Sequence, residues 1–165
     1  MTENNEYKEF DIQKMHTIAR ENSLKFLGQI DDPADRAHND LVKLDRQRPK
    51  AQDFTGYPYI VLEEYTLNDT NNSVNGLNGT FDFDMEFHVF GTRDSESEIA
   101  LHDRINDQIT NLVKGRHSLR LGDEARLARL QFIRQNRMPG QDEADQPVIV
   151  YEFEVRGKLH LNMDK

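Results

Sequence analysis

At 165 residues, with 36 % apolar and 31 % charged side chains, the chain has material for one core under a large wetted or partner-covered surface, read as a single domain over 1–165. The absence of cysteine excludes disulfides, thiol catalysis and Cys-based zinc sites. No run approaches the roughly 18 apolar residues of a membrane span, and the polar stretch Met1–Lys8 does not read as a secretory signal, so a soluble protein made in a cytoplasm and without a membrane partner is expected. A net charge of -9 disfavours generic DNA binding, because an acidic surface repels phosphate.

The first predicted element is a helix over Glu9–Leu27. Ile12, Met15, Ile18, Ala19 and Leu24 give its apolar stripe, and Gly28 is placed to end it. The segment 31–55 is charged and poor in apolar residues. Pro33 opens a short helix through Leu44 in this reading, and the whole segment is expected to be an extended connection or arm, since so long a connection is unusual inside a compact domain.

Tyr57–Leu67 reads as a strand with apolar residues on both faces, Tyr59, Val61 and Tyr65 on one and Ile60 and Leu62 on the other. Asn68–Gly79 is turn chemistry, with Asn75-Gly76 and Asn78-Gly79. Thr80–Phe90 has the clearest strand pattern: Phe81, Phe83, Met85, Phe87 and Val89 alternate with Asp82, Asp84, Glu86 and His88.

Ser95 and Glu98 form a capping-box pattern that opens a helix ending at Lys114–Gly115, with Leu101, Ile105, Ile109 and Leu112 as its stripe. Arg126–Arg134 alternates again, with Ala128, Leu130 and Phe132 against Arg129 and Gln131. Met138–Gln146 reads as a loop and Val148–Leu161 as a last long strand. The order helix, hairpin, helix, hairpin predicts an α+β fold: one mainly antiparallel four-stranded sheet with the helices packed on one face.

Charge is unevenly placed. From Lys114 to Arg137 there are seven basic residues against two acids, on an otherwise acidic chain. A basic segment on an acidic body suits head-to-tail contact between identical subunits, and a solvated basic strand is the plain alternative. Arg126, Arg129 and Arg134, with the acidic row Asp82, Asp84 and Glu86, are therefore the candidates for a subunit interface or a lumen wall.

The same acidic row is the best candidate for catalysis. Three carboxylates on one strand face suit a Mg²⁺-dependent phosphoryl-transfer enzyme, whereas a polar face paired to Arg156 and Lys158 on a neighbouring strand explains them without a metal. The six histidines show no helical pairing and no His-x-His, and His88 and His160 read as surface residues of polar strand faces. Nucleophile elbows, phosphate loops and dinucleotide fingerprints are missing, and Ser95 reads as a helix cap. No catalytic residue, metal ligand or cofactor is assigned from the sequence, and an adaptor or binding domain is the other non-catalytic reading.

Tyr57-Pro58-Tyr59-Ile60-Val61-Leu62-Glu63-Glu64, a loop, the Phe81–Gly91 strand with its Val89-Phe90 step, the capped helix to Lys114 and the terminal Val148–Leu161 strand together resemble the tail terminator (tail completion) proteins of long-tailed phages and related prokaryotic viruses. The resemblance spans nearly the whole chain through element order rather than chemical signatures. It implies a non-enzymatic virion protein of the tail or neck, assembled in the host cytoplasm. It also implies a homohexameric ring capping the tail tube protein and joining it to the head connector or neck protein, with DNA passing through the channel without specific binding. Another head–tail joining or tube protein is the near alternative.

Overall fold

A computed structural model describes residues 2–30, 43–45, 57–69, 79–93, 95–115, 118–141 and 147–161, with backbone alone for 2–12, 43, 44 and 69. In chain order the elements are α1 (Thr2–Leu27), β1 (Lys43–Asp45), β2 (Tyr59–Asp69), β3 (Gly79–Gly91), α2 (Glu96–Lys114), β4 (Ser118–Arg120), β5 (Ala125–Gln141) and β6 (Pro147–Leu161). The expected turns over Asn68–Gly79 and Met138–Gln146 are corrected at their described ends, where 68–69, 79 and 138–141 are strand; 70–78, 142–146 and the expected arm over 31–55 apart from β1 lie outside the described residues.

The strands form one six-stranded sheet in the order β1-β2-β3-β6-β5-β4. β1 runs parallel to β2, and every other pairing is antiparallel. The predicted four-stranded sheet with helices on one face is thereby corrected. The five antiparallel strands curl into a half-barrel, sheet dominates the molecule, and the two helices serve the hollow of that curl. The two unpredicted strands are three residues long, too short for a period-two pattern to show. β1 also stands where a helix through Leu44 was expected; its register with Ile60–Leu62 is an added pairing that composition does not reveal.

Bulges produce the curl. β2 carries one between Leu62 and Glu64, and β5 carries two, at Ala128/Gln131 and Phe132/Arg134. Each inserts an unpaired residue and increases the local twist. Arg129 adopts φ 55° inside the first β5 bulge. Opposite it, Gly157 of β6 has no room for a side chain: a Cβ would lie 2.7 Å from Leu130 Cδ2 and 3.0 Å from the Ala128 carbonyl oxygen. Beyond the Arg126–Ala128 stretch paired with β4, β5 bonds to β6 alone among the described residues.

The concave core joins both helices to the sheet. Ile18, Ala19, Phe26 and Leu27 of α1 and Ile105, Ile109, Leu112 and Val113 of α2 share one cluster with the alternating row Phe81, Phe83, Met85, Phe87 and Val89 of β3. Phe153, Val155, Leu159 and Leu161 of β6 complete it. α1 begins at Thr2 instead of Glu9 and is closed by the Gly28 N–H donating to the Leu24 carbonyl at 2.8 Å. α2 is capped as predicted: Ser95 Oγ accepts from the Glu98 N–H at 3.2 Å. The Glu98 carboxylate turns away from the reciprocal bond and accepts from Thr92 Oγ1 at 2.6 Å, which ties the helix start to the end of β3.

A second buried cluster, Tyr59, Val61, Phe90, Val148 and Val150, occupies one end of the opposite face. Tyr59 and Phe90 stack there with ring centroids 4.9 Å apart. Tyr65 does not join Tyr59 and Val61, as strict alternation required. The bulge at Glu63 shifts the phase by one, so Tyr65 and Leu67 enter the concave core beside Ile60 and Leu62.

Candidate functional site

The face opposite the helices carries the ionisable residues of the sheet. Register sets them in rows across the strands. Asn68, Asp82, Lys158 and Ala128 form one row; Thr66, Asp84, Arg156 and Gln131 the next; Glu64, Glu86, Glu154 and Arg134 the third. His88, Glu152 and Asn136 follow. The face then turns apolar at Tyr59, Phe90 and Val150.

Each member of the predicted acidic row has a basic neighbour. Lys158 Nζ donates to Asp82. Arg156 Nε and Nη2 both donate to Asp84 Oδ2 at 3.2 Å. Arg134 Nη2 donates to Glu86 Oε1 at 2.6 Å, a short charge-assisted bond. The cross-strand explanation of the row is the one realised for Asp82 and Asp84, so the three carboxylates do not turn toward a common metal. Arg134 meets the row within the chain, where the sequence reading had the basic segment facing the acidic row of a neighbouring subunit. Arg126 lies in register with His160 at the other end of β5, and Arg129 sits in the bulge; both are exposed and away from the acidic row.

A grouping that sequence reasoning missed lies beside Glu86. The His88 imidazole is half-buried among three carboxylates. Nδ1 is 3.4 Å from Glu63 Oε1, and Nε2 is 3.3 Å from Glu86 Oε1 and 3.2 Å from Glu152 Oε2. Glu86, His88 and Glu152 each offer a ligand atom, all within 4.8 Å of one another. The Glu-x-His spacing on a polar strand face was the available signal. Glu152 enters only through the β3–β6 register, and Glu63 only through the β2 bulge, neither of which is written locally in the sequence.

A third polar centre is internal. His102 of α2 is fully buried, and its Nε2 donates to the Val89 carbonyl at 3.1 Å. Its ring stands edge-on to Tyr151 at 4.5 Å, and Tyr151 Oη accepts from Arg93 Nη2 at 2.9 Å. Burial pushes the His102 pKa down to about 4; Arg93 and Arg137 act in the same direction, against the Val89 bond and Asp103. A neutral imidazole bonded to the backbone inside the core fixes α2 on β3.

An open groove at the β4–β5 turn is lined by Arg120, Asp123, Glu124, Arg126 and His160, with Arg120 bound to Asp123 at 3.3 Å. No helix among the described residues is long and apolar enough to cross a membrane.

No known protein family matches the chain in a scan of family profiles, and no curated protein matches it. Among solved structures, a chain from the virion of a native gene transfer agent particle is similar, with 19 % sequence identity, a TM-score of 0.44, and coverage of 71 % of this chain and 78 % of that one.

Proposed function

We propose that this chain is a structural protein of a virion tail or neck, of the tail terminator kind, working as a ring of identical subunits. In this reading the ring caps the tail tube, contacts the head connector, and lets DNA through without gripping it. The observation that carries the reading is the outer half of β5. It is a continuous strand from Gln131 to Gln141, kinked once at Ile133, yet nearly all of it is exposed, and it bears Ile133 and Met138, the exposed large apolar side chains among the described residues. Much of the rest of the sheet is closed on itself, by core on one face and ion pairs on the other. A long strand that leaves apolar and basic groups outside a thin, acidic molecule is suited to receiving a neighbour.

The occupant is a second copy of this chain. Arg126, Arg129 and Arg137 on β5 make no ion pair among the described residues, while the molecule carries a net charge of -9 that a basic strand complements. A contact between two different patches of identical subunits closes into a ring when the rotation per subunit permits. Asp82, Asp84 and Glu86, partly neutralised within the chain, then belong to the interface or the lumen wall.

The test is the solution mass of the purified chain, alone and with tube protein, joined to negative-stain imaging. A closed ring is expected, and Ile133→Asp with Met138→Asp should give folded subunits that form none. A monomer that leaves tube length uncontrolled would end the reading, as would a double variant that assembles normally.

A further inference from the structure

We propose that Glu86, His88 and Glu152 form a binding site for a single divalent transition-metal ion of the zinc class, with Glu63 orienting the imidazole. The geometry is that of a metal corner more than of a simple ion pair. A tetrahedral ion with bonds of about 2.0–2.1 Å holds its ligand atoms roughly 3.3 Å apart. Nε2 of His88 lies 3.3 Å from Glu86 Oε1 and 3.2 Å from Glu152 Oε2, near that edge length on both sides. A single Nε2–H serves one acceptor well, and a charge-assisted bond of that kind closes to about 2.7–2.9 Å. Here two carboxylates face one nitrogen at nearly equal, longer separations.

The other nitrogen supports the same assignment. Glu63 Oε1 stands 3.4 Å from Nδ1, on the far side of the ring from the two ligand carboxylates. A carboxylate there holds the proton on Nδ1 and leaves the Nε2 lone pair for the ion, an arrangement common to histidines that bind metals. The imidazole nitrogen is the borderline donor that selects zinc over magnesium, which favours all-oxygen octahedral sites, and with two carboxylate oxygens it leaves a position for water. All four side chains are between 14 % and 26 % exposed, shielded enough to strengthen the attraction and open enough for an ion to enter.

Arg134 supplies the competitor. Its guanidinium donates to the same Glu86 Oε1 that would face the ion, and its side chain is 46 % exposed, free to swing into solvent. Metal entry therefore displaces the β5 arginine from β3, and the ion and the guanidinium compete for one oxygen. The two states differ in what the exposed half of β5 presents to its surroundings. This site goes beyond the assembly reading and does not depend on it.

The full-length chain, stripped with chelator, would be titrated with Zn²⁺ by calorimetry and with Co²⁺ by visible absorption. One equivalent per chain is expected, with the cobalt bands of a four-coordinate nitrogen–oxygen site. Glu152→Gln and His88→Gln should weaken binding at least about tenfold, and Glu63→Gln by about tenfold through the imidazole orientation. Arg134→Gln should tighten it, and by more than Arg129→Gln, which removes the same charge from β5 without freeing a ligand oxygen. Long-range ¹H–¹⁵N spectra of the unmodified chain provide a measure that survives a variant that fails to fold: zinc should shift Nε2 of one histidine and leave its Nδ1 protonated. The proposal fails if no saturable single site appears, if zinc shifts a different histidine, or if Arg134→Gln leaves binding unchanged or weaker.

Discussion

Gly91 meets His102 where no side chain fits. A Cβ at that position would lie 2.3 Å from Nδ1 of the buried imidazole. Gly91→Ala should therefore force the ring off the Val89 carbonyl and cost about 1–3 kcal/mol, read as a lower urea midpoint with an unchanged slope. The histidine itself makes stability depend on pH. Folded, it resists protonation down to about 4; unfolded, it takes a proton near 6.5, so between those values the unfolded chain holds more protons. This contribution is complete above about pH 6.5 and is lost as pH falls toward 4, reaching about 3 kcal/mol in full. Urea melts at pH 7 and pH 5 should show the decline, and His102→Leu should remove that share of it. Burial sets the shift, and the charged groups that modify it, Arg93 and Arg137 against Asp103, come from the segment after β3, from β5 and from α2. No local pattern marks His102, so its role was not legible in the sequence: helix periodicity assigns a face, but the carbonyl it binds is set by packing.

Where alternation ran unbroken, the strands followed from the sequence. β3 places Phe81 through Val89 in the core and Asp82 through His88 on the other face, as period two requires. β2 and β5 depart because bulges reset the phase. Tyr65 changes sides after Glu63, and Ala128 pairs with Lys158 on the polar face while Leu130 and Phe132 pack on the core. A bulge costs one residue of register and has no composition of its own, which explains the error. It also explains the missed site, since Glu63 reaches His88 from the bulge. Deleting Glu63 joins the Leu62–Phe87 pair directly to the Glu64–Glu86 pair, so Tyr65 and Leu67 should stay buried. Inserting one alanine between Glu64 and Tyr65 should instead drive both outward, and losing their burial at about 1.5–3 kcal/mol each would destabilise the chain far more than a surface substitution, measurable by thermal melting. The cross-strand pair of Asp84 and Arg156 should behave differently. Its arginine is 53 % exposed and its carboxylate 27 %, so a double-mutant cycle should give about 0.2–1 kcal/mol of coupling that shrinks with added salt.

At the level of the molecule, a sheet this curved concentrates its apolar interior against two helices and leaves its outer charges as a surface lattice. If subunits meet through the basic strand and an acidic body, raising ionic strength from 50 mM to 500 mM should slow assembly and shift it toward free subunits, visible by sedimentation. Contact governed by Ile133 and Met138 alone would not weaken in that range. The open side of β5 has a further consequence. Peptide groups beyond the β4 pairing have no strand beside them among the described residues, and such a margin invites another chain to extend the sheet without limit. Two kinks, Pro139 with no N–H to give, and the flanking Arg134 and Arg137 all spoil that template. A variant with Pro139→Val and the kink at Ile133 removed should therefore form fibres under conditions where the parent chain does not, visible by electron microscopy.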